Sequence, residues 1–258
     1  MSKKIDVGIL GSTGRMGAFL IKNVSEDKDL NLKVVHVYDE LKTPLPKDTI
    51  ITNSIDELLE NSDVVIDFSA PKATEALCEG ALKNPKALVI ATTGLNNHQI
   101  NLLQEVSEVA PLLYSTNMSA GIAILKKLVA QVASTLRDYD IEIVEMHHRY
   151  KVDAPSGTAL TLAEFAAKAR GLDLDKVRVS GRDGEIGPRK KDEIGVMALR
   201  GGDIVGRHRV GFYNDGEYLE LSHTATSRET FSKGAVIAAK WVVNQKPGLY
   251  SINDALNL

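Results

Sequence analysis

Residues 5–17 have the sequence IDVGILGSTGRMG, which is the most informative stretch for the fold of the first half of the chain. Residues 5–10 form an apolar run that ends at a glycine, which predicts a buried strand. Three glycines follow at every third position, Gly11, Gly14 and Gly17, and a helical pattern begins at Met16. A strand that enters a helix through a glycine-rich turn is typical of a dinucleotide site, because the free N–H groups of the helix start bind the pyrophosphate.

The first half of the chain continues as alternating strands and helices. Strands are predicted at 32–38, 64–68, 87–91 and 112–114, and helices at 16–24, 72–82 and 99–108. Residues 41–52 contain two prolines and predict a loop. Strands that alternate with helices imply right-handed crossovers, so the sequence predicts an α/β fold with a Rossmann-type, doubly wound parallel sheet.

The pattern changes after Asn117. Helices are predicted at 121–136, 158–170 and 230–243, and strands at 141–146, 177–180, 194–199, 204–212 and 218–224. The last four strands lie close together between glycine turns, which predicts an antiparallel or mixed open sheet. Residues 182–192 are glycine-rich and charged and predict an exposed, mobile loop. We therefore predict a dinucleotide-binding domain over 1–118 and 229–258, with an α+β substrate-binding domain over 119–228 inserted into it.

Candidate cofactor ligands follow successive predicted strands. Ligands of a doubly wound sheet lie at the carboxyl ends of its strands, where small hydroxyl and amide side chains can hydrogen-bond a nucleotide. The candidates are Gly11, Ser12, Thr13, Gly14, Arg15, Met16, Asp39, Ala91, Thr92, Thr93, Ser115, Thr116, Asn117 and Met118. The alternative is a glycine-rich turn in a flavodoxin-like domain without a cofactor.

The acids Asp39 and Glu40 bear on the choice of cofactor. An acid at the end of the second strand accepts both ribose hydroxyls, and two acids would repel a 2′-phosphate. This predicts a preference for NADH. Arg15 and Lys42 leave NADPH possible, and the two acids could instead form a solvated acidic turn.

The second informative stretch is residues 145–160, EMHHRYKVDAPSGTAL. His147 and His148 end a predicted strand, and neighbouring side chains on a strand point to opposite sides. Lys151 follows, and then Ser156, Gly157 and Thr158 open a helix whose free N–H groups bind anions. The stretch predicts a pocket for a small, doubly negative substrate, with at least one group that transfers a proton.

The same residues could instead form a cap, a turn or a metal site. Ser156 could serve only as the helix N-cap and Asp153 only as a turn residue. Adjacent histidines bind zinc in some proteins, but no third ligand stands at a usual spacing and the single cysteine, Cys78, is far away in the sequence. We predict no metal. The stretch is not GxSxG, which argues against Ser156 as a hydrolase nucleophile.

Composition limits the partners and the compartment. The 258 residues carry a net charge of -3, which does not favour binding to nucleic acid or to an acidic membrane. No apolar run reaches the roughly 18 residues of a membrane span, and Asp6 and the glycines interrupt any signal-peptide core at the N-terminus. A single cysteine suits a reducing compartment. We therefore predict a cytoplasmic protein with neither nucleic acid nor membrane as a partner.

The pattern from Glu145 to Ala159 resembles the signature of the 4-hydroxy-tetrahydrodipicolinate reductase family. GRMG at 14–17, ATTG at 91–94, GDIVG at 202–206 and SRxxF at 227–231 match the family as well, so the resemblance covers nearly the whole chain. It implies an NAD(P)H-dependent oxidoreductase that reduces 4-hydroxy-tetrahydrodipicolinate, a cyclic dicarboxylate, to tetrahydrodipicolinate. Hydride passes to C4 and water is lost, in lysine and diaminopimelate biosynthesis.

The resemblance also implies roles for single residues. The positions that match His147 and Lys151 handle protons, and those that match His148, Gly157 and Thr158 hold the substrate carboxylates. The family is usually a homotetramer joined through the sheets of the substrate domain. Glu40 departs from the pattern, because the family usually has an arginine or lysine there. Two alternatives stay open, a related reductase with another amino-acid intermediate as substrate and a non-catalytic protein that senses NAD.

Overall fold

The structure is a computed structural model, and it describes residues 3–258. The chain forms two compact units. One runs to Ala120 and resumes over Glu229–Leu258, and the other is Gly121–Arg228. Which unit binds the dinucleotide and which the substrate stays a prediction. Residues 1 and 2 of the first predicted domain lie outside the described residues.

The first unit begins with alternating strands and helices. In chain order these are β1 (Ile5–Leu10), α1 (Arg15–Glu26), β2 (Leu30–His36), β3 (Ile50–Thr52), α2 (Ile55–Glu60), β4 (Val64–Asp67), α3 (Pro71–Lys83), β5 (Ala87–Ile90), α4 (Asn97–Val109) and β6 (Pro111–Tyr114). Helix starts have local causes. Asn96 and Gln99 form a capping box at the start of α4, and Pro71 occupies the first turn of α3.

The second unit combines long helices with a hairpin and further strands. Its elements are α5 (Ala120–Thr135), β7 (Asp140–His147), α6 (Gly157–Arg170), α7 (Leu174–Val177), β8 (Arg178–Val179), β9 (Ile194–Arg200), β10 (Gly206–Asn214) and β11 (Glu217–Ala225). Asn214 pairs with Glu217, so Asp215 and Gly216 alone connect β10 to β11. Gly216 has a φ of 86°, a conformation that glycine adopts without strain in a tight turn.

The chain then returns to the first unit with α8 (Glu229–Val242), β12 (Gly248–Tyr250) and α9 (Ile252–Ala255). Helix α8 packs on α1, where Lys22 Nζ lies 3.1 Å from Glu229 Oε1. Gly234 brings α8 against the segment after β6, because a Cβ at Gly234 would lie 1.7 Å from the carbonyl oxygen of Met118. The last long helix therefore supports a strand end that is predicted to bind cofactor.

The first sheet has the order β12-β6-β5-β4-β1-β2-β3, and its strand pairs are parallel. From β1 the order runs one way through β2 and the other way through β4. A crevice at the carboxyl ends of such strands is the usual ligand position in a doubly wound sheet. The predicted Rossmann-type parallel sheet is confirmed.

The second sheet has the order β11-β10-β7-β9-β8 and is mixed, as predicted. Strand β7 pairs parallel with β9 and antiparallel with β10. Its alternate residues Ile141 and Ile143 enter the core with apolar side chains of α5 and α6. The residues that alternate with them along β7, such as Glu142 and Val144, point to the other face of the sheet.

Several short elements differ from the predictions. The predicted loop over 41–52 ends in β3, and β12 adds a seventh strand at the opposite edge of the first sheet. Strands of three residues are too short to show a period of two, so no pattern marked them. The predicted strand over 177–180 is present but shorter, as β8, which pairs parallel with β9. Helix α7, which was not predicted, occupies the residues before it, and Asp173 starts that helix by accepting a hydrogen bond from the amide of Asp175.

The charged loop over 182–192 is exposed, but two arginines anchor it on β7. Arg182 makes two hydrogen bonds to the carboxylate of Glu142, at 2.9 and 2.8 Å. Arg189 Nη1 donates to Asp140 Oδ1 at 2.7 Å. The composition of the loop predicted exposure, but it did not indicate that two of its charges are paired with a strand.

Candidate active site

The three glycines after β1 do not have the same role. Gly11 has a φ of 86°, and a Cβ there would lie 2.6 Å from the carbonyl oxygen of Phe68. A Cβ at Gly17 would lie 2.4 Å from the carbonyl oxygen of Ser12. Packing therefore requires glycine at the first and third positions. At Gly14 a Cβ would meet only the oxygen of Gly11, at an ordinary 3.4 Å, so the middle glycine leaves space outside the protein that suits a pyrophosphate.

The structure brings the predicted cofactor residues to one edge of the first sheet. Gly11 to Met16 follow β1, Asp39 follows β2, Ala91 to Thr93 follow β5, and Ser115 to Met118 follow β6. Because these strands are parallel, their carboxyl ends share that edge. Thr13, Gly14, Arg15, Asp39, Thr93 and Thr116 are exposed there, and Met16, Ser115 and Asn117 are half-buried.

The remaining residues of that set are used inside the protein. The buried Ser12 donates its hydroxyl to the carbonyl of His36 at 2.5 Å, and the buried Thr92 donates to Asp67 Oδ2 at 3.1 Å. Ala91 and Met118 are buried as well. For Ser12 and Thr92, a contact with a cofactor therefore has to come from the backbone.

Asp67 organises the end of β4 and was not among the predicted residues. Its side chain is fully buried and accepts hydrogen bonds from the hydroxyls of Ser69, Thr74 and Thr92. Burial raises the pKa of the Asp67 carboxyl, and the three hydroxyls act against that rise. These bonds tie the turns after β4 and β5 together. An acid at a strand end suggests a ligand contact from sequence alone, but here it is part of the scaffold.

In the second unit, β7 places Glu145 and His147 on the same face of the sheet. His147 Nδ1 lies 2.6 Å from Glu145 Oε2, so the ring donates its Nδ1–H to the carboxylate. Arg200, opposite His147 on β9, makes two hydrogen bonds to the same carboxylate, both at 2.8 Å. The amide of Ser156 donates to Glu145 Oε1 at 2.9 Å. Together with His208, these residues are called the Glu145 cluster below.

Charge in the Glu145 cluster is balanced by these bonds. Burial alone would raise the pKa of the Glu145 carboxyl, but hydrogen bonds from Arg200, His147 and the Ser156 amide outweigh it and lower the pKa. Burial lowers the pKa of His147, and Glu145 acts against that shift. At neutral pH the cluster therefore holds a carboxylate and a neutral imidazole whose Nε2 is the acceptor.

His208 and Ser156 close the cluster on the side of β10. The two rings of His147 and His208 meet edge to face, with centroids 5.2 Å apart. His208 Nε2 lies 3.2 Å from Ser156 Oγ, and burial lowers the pKa of His208 to about 4. Ser156 Oγ also accepts from the amide of Ala159 at 3.2 Å, so Ser156 is the N-cap of α6. Its buried hydroxyl is thus engaged twice within the protein.

The other predicted substrate residues surround the start of α6 and the turn before it. His148 Nε2 accepts a hydrogen bond from Arg228 Nη2 at 3.4 Å. Lys151 Nζ forms an ion pair with Asp153 Oδ1 at 2.7 Å. Gly157 is exposed and Thr158 half-exposed in the first turn of α6, where backbone N–H groups attract anions. Two histidines, a lysine and a helix N-terminus therefore meet in one stretch of 12 residues, 147–158.

Across residues 3–258, no helix is long and apolar enough to cross a membrane. The same residues contain no group of three or more His, Cys, Asp and Glu side chains placed to hold a metal ion.

Comparison with known proteins decides the family. Residues 5–118 match the family described as "Dihydrodipicolinate reductase, N-terminus", and residues 121–256 match "Dihydrodipicolinate reductase, C-terminus". The chain belongs to the dihydrodipicolinate reductase family. The resemblance predicted from the stretch at 145–159 is thereby confirmed.

Curated relatives agree with this membership over their full length. The 4-hydroxy-tetrahydrodipicolinate reductase of Sulfurovum sp. (strain NBC37-1) is 73% identical over 252 residues, which cover 98% of this chain and 99% of the relative. The enzyme of the same name from a Nitratiruptor species is 65% identical over 254 residues, with coverage of 98% and 100%.

Among solved structures, the dipicolinate-bound dihydrodipicolinate reductase from Paenisporosarcina sp. TG-14 has the same fold. Its TM-score is 0.78 at 22% identity, and the match covers 96% of this chain and 97% of that one. A likeness at this identity shows the fold alone.

Sequence reasoning missed three polar residues in this dihydrodipicolinate reductase family member. Arg200 and His208 complete the Glu145 cluster, and Asp67 ties two strand ends of the first unit. Glu145 itself appeared only as part of the signature. One feature of the sequence could have drawn attention to it, since Glu145 alternates with His147 on a strand and therefore shares its face.

Proposed function

We propose that the chain reduces 4-hydroxy-tetrahydrodipicolinate to tetrahydrodipicolinate with NADH or NADPH, in lysine and diaminopimelate biosynthesis. The observation that carries the proposal is the juxtaposition of His147, Lys151 and the N-terminus of α6 in a family member. Relatives of this name at 73% and 65% identity support it.

The proposed site suits a small cyclic dicarboxylate. Two carboxylates need cationic or N–H partners, and the proposed ones are His148, Gly157 and Thr158, with Ser156 capping the helix that carries the last two. The first turn of α6 presents N–H groups, which attract anions through the helix dipole.

The proposed cofactor, NADH or NADPH, supplies a hydride to C4 when it is bound. The loop from Gly11 to Met16, with Asp39 and the turns after β5 and β6, is the proposed place where the chain holds it. The fit rests on Gly14. Packing does not require a glycine at this position, and the missing Cβ leaves open space beside the turn. The residues of the chain itself then have to handle protons.

Proton balance assigns roles to two groups. The C4–O bond breaks, and the departing oxygen takes one proton, which we assign to Lys151, and leaves as water. The proton lost from the neighbouring carbon goes to His147 Nε2 and returns to that carbon once C4 has gained its hydride. The net change is one hydride and one proton gained and one water lost. Neutral His147 suits a base, and the Lys151 ammonium suits an acid.

The direct test is a coupled assay. Aspartate semialdehyde and pyruvate are incubated with the upstream synthase, and the absorbance of NADH is followed after the chain is added. We expect NADH to be consumed only when all components are present. Tight NADH binding without turnover would instead favour the non-catalytic, NAD-sensing alternative.

The next prediction concerns cofactor choice. Asp39 and Glu40 are both exposed directly after β2, where they would repel a 2′-phosphate. We expect a higher kcat/KM with NADH, and Glu40→Arg is expected to shift the ratio toward NADPH about tenfold, or about 1.4 kcal/mol. Glu108→Arg, an equal charge change on the exposed end of α4, is the control. A wild-type preference for NADPH of tenfold or more would contradict the prediction.

The resemblance to the family also leads us to propose a homotetramer joined through the second sheet. Helices α5 and α6 pack on one face of that sheet. The other face carries a cavity lined by Val144, Met146, Arg207 and Arg209. Apolar side chains with arginines beside them are common at interfaces. We expect sedimentation to give the mass of four chains, and Met197→Asp, on the same face of β9, to lower it. A monomer at micromolar concentration would exclude this assembly.

The proposed compartment is the cytoplasm. Cys78 is a free, buried thiol, and burial raises its pKa to about 12. A thiol of that kind is unreactive and is compatible with a reducing environment.

A further inference from the structure

The side chain of Glu145 has an unusual number of partners for its position. It is fully buried on β7, and each of its oxygens accepts two hydrogen bonds. Oε1 accepts from Arg200 Nη2 and from the amide of Ser156, at 2.8 and 2.9 Å. Oε2 accepts from Arg200 Nη1 at 2.8 Å and from His147 Nδ1 at 2.6 Å. The carboxylate therefore has no contact with solvent and no further capacity for a ligand.

We propose that Glu145, held by Arg200, is the positioning residue that sets the tautomer of His147. Its carboxylate keeps the proton on Nδ1, so Nε2 is the nitrogen that exchanges a proton with the substrate. This inference rests on the proposed function, because it assigns Glu145 a role in that reaction. Glu145 itself does not touch the substrate.

Space at the other side of the ring supports this orientation. Gly206, on β10, lies beside His147, and a Cβ there would come within 3.1 Å of Nε2. Glycine therefore keeps side-chain atoms away from the nitrogen that has to exchange a proton. The bond that fixes Nδ1 and the absence of a side chain at Gly206 beside Nε2 are two separate observations that point to the same working nitrogen.

The charges around His147 explain why an arginine is part of the arrangement. The ring faces Glu145 on its own strand, Arg200 on β9, His208 on β10 and Lys151 in the following turn. A lone buried carboxylate at 2.6 Å would keep the imidazole protonated in the resting enzyme. Burial of the ring, joined by the positive charges of Lys151 and Arg200, offsets that attraction and lowers the pKa of His147, so the ring stays neutral and able to accept. Once it gains a proton, the contact with Glu145 stabilises the imidazolium.

A purely structural role for Glu145 is the competing hypothesis. Arg200 Nη2 also donates to the carbonyl of Asp153 at 2.7 Å, and Glu145 binds the amide of Ser156. The cluster therefore anchors the turn that leads into α6. Loss of this anchor would lower stability and raise the KM for substrate, but it would not change which nitrogen of His147 carries the proton.

Glu145→Gln separates the two hypotheses. Two donors face the position of Oε1, the backbone amide of Ser156 and Nη2 of Arg200. The side-chain oxygen of the new glutamine is therefore expected at that position. The NH₂ group then faces His147 Nδ1, which has to become an acceptor, and the proton moves to Nε2. In Ser-His-Asp hydrolases the corresponding change costs about 10⁴ in kcat. Here we expect a loss of at least about 100-fold, with the Kd for NADH within twofold of wild type.

The matched control is Glu142→Gln. Glu142 lies three residues earlier on the same strand and also makes two hydrogen bonds to one arginine, Arg182. It points to the other face of the sheet, away from His147. We expect the control to keep wild-type kcat within twofold. If both variants lose activity equally, the loss comes from disturbing β7, and the positioning role is wrong.

The decisive readout is the tautomer, measured by ¹⁵N NMR on histidine-labelled protein. Wild type is expected to show His147 protonated at Nδ1 at neutral pH, and folded Glu145→Gln to show it protonated at Nε2. An unchanged tautomer in the variant, or Nε2–H in wild type, overturns the inference. If the variant does not fold, the wild-type spectrum still tests the inference, because Nε2–H there overturns it. Because the spectrum needs no substrate, it tests Glu145 even if the coupled assay fails and the proposed function is wrong.

Discussion

Replacing Lys151 with alanine is expected to lower kcat at least about 100-fold and to leave the Kd for NADH unchanged. The reason is that the oxygen on C4 can leave as water only if it takes a proton. A positioned acid contributes about 10² to 10⁴ in rate. Burial lowers the pKa of His147, which makes its ring a poor proton donor, and the amine of Lys151, ion-paired with Asp153 at 2.7 Å, is the cationic donor beside it.

The second unit offers a matched control for this substitution. Lys176 pairs with Asp173 at 3.1 Å in another short lysine–aspartate bridge, on the exposed surface. Lys176→Ala removes the same charge and the same kind of ion pair, and it is expected to keep wild-type kcat. Steady-state kinetics with the coupled substrate measures both variants. If folded Lys151→Ala retains kcat within threefold of wild type, Lys151 is a solvated charge and the donor has to be sought elsewhere.

Local patterns were sufficient to predict the framework of both sheets. The turn after β1 could be predicted because packing itself requires glycine at positions 11 and 17, and the sequence displays that requirement directly. The strand ends that follow could be placed at one edge because parallel strands share their direction. The edge strands β3 and β12 could not, since three residues carry too little pattern to tell a strand from a loop.

The partners of Glu145 could not be predicted, and strand register is the reason. Alternation on β7 places Glu145 and His147 on one face, but it does not say which residues of β9 and β10 stand opposite. In the structure His147 pairs with Arg200, and Glu145 pairs with His208. Arg200 is 55 residues from Glu145 in the chain. A shift of one residue in either strand would turn these side chains to the other face.

Side-chain use is a second property that sequence could not settle. Ser12 and Thr92 stand where hydroxyls commonly meet a nucleotide, but both donate inside the protein, to His36 and to Asp67. A hydroxyl at a strand end can serve the ligand or the fold, and only the neighbours decide. The same distinction applies to the glycine turn after β1. Packing requires glycine at position 17, whereas Gly14 borders open space.

Gly17→Ala is expected to damage both the fold and cofactor binding. The new Cβ would lie 2.4 and 2.5 Å from the carbonyl oxygens of Ser12 and Gly11. Both are backbone atoms that cannot move without shifting the turn. Overpacking of this kind costs about 1 to 3 kcal/mol, and a displaced turn no longer presents the N–H groups at the start of α1. We expect the free energy of unfolding to fall by that amount and NADH to bind at least about 100-fold more weakly, as measured by denaturant titration and by fluorescence.

Gly14→Ala is the control that separates a lost ligand contact from a damaged fold. Gly14 has φ -81° and ψ 169°, a conformation that alanine adopts without strain, and its Cβ would make one contact at 3.4 Å. Stability is therefore expected to stay within about 0.5 kcal/mol of wild type. The methyl group would occupy the space left for the pyrophosphate, so the affinity for NADH is expected to fall at least about tenfold. An unchanged affinity in Gly14→Ala would show that no phosphate approaches this turn, because Gly17→Ala alone cannot distinguish a lost ligand contact from a broken fold.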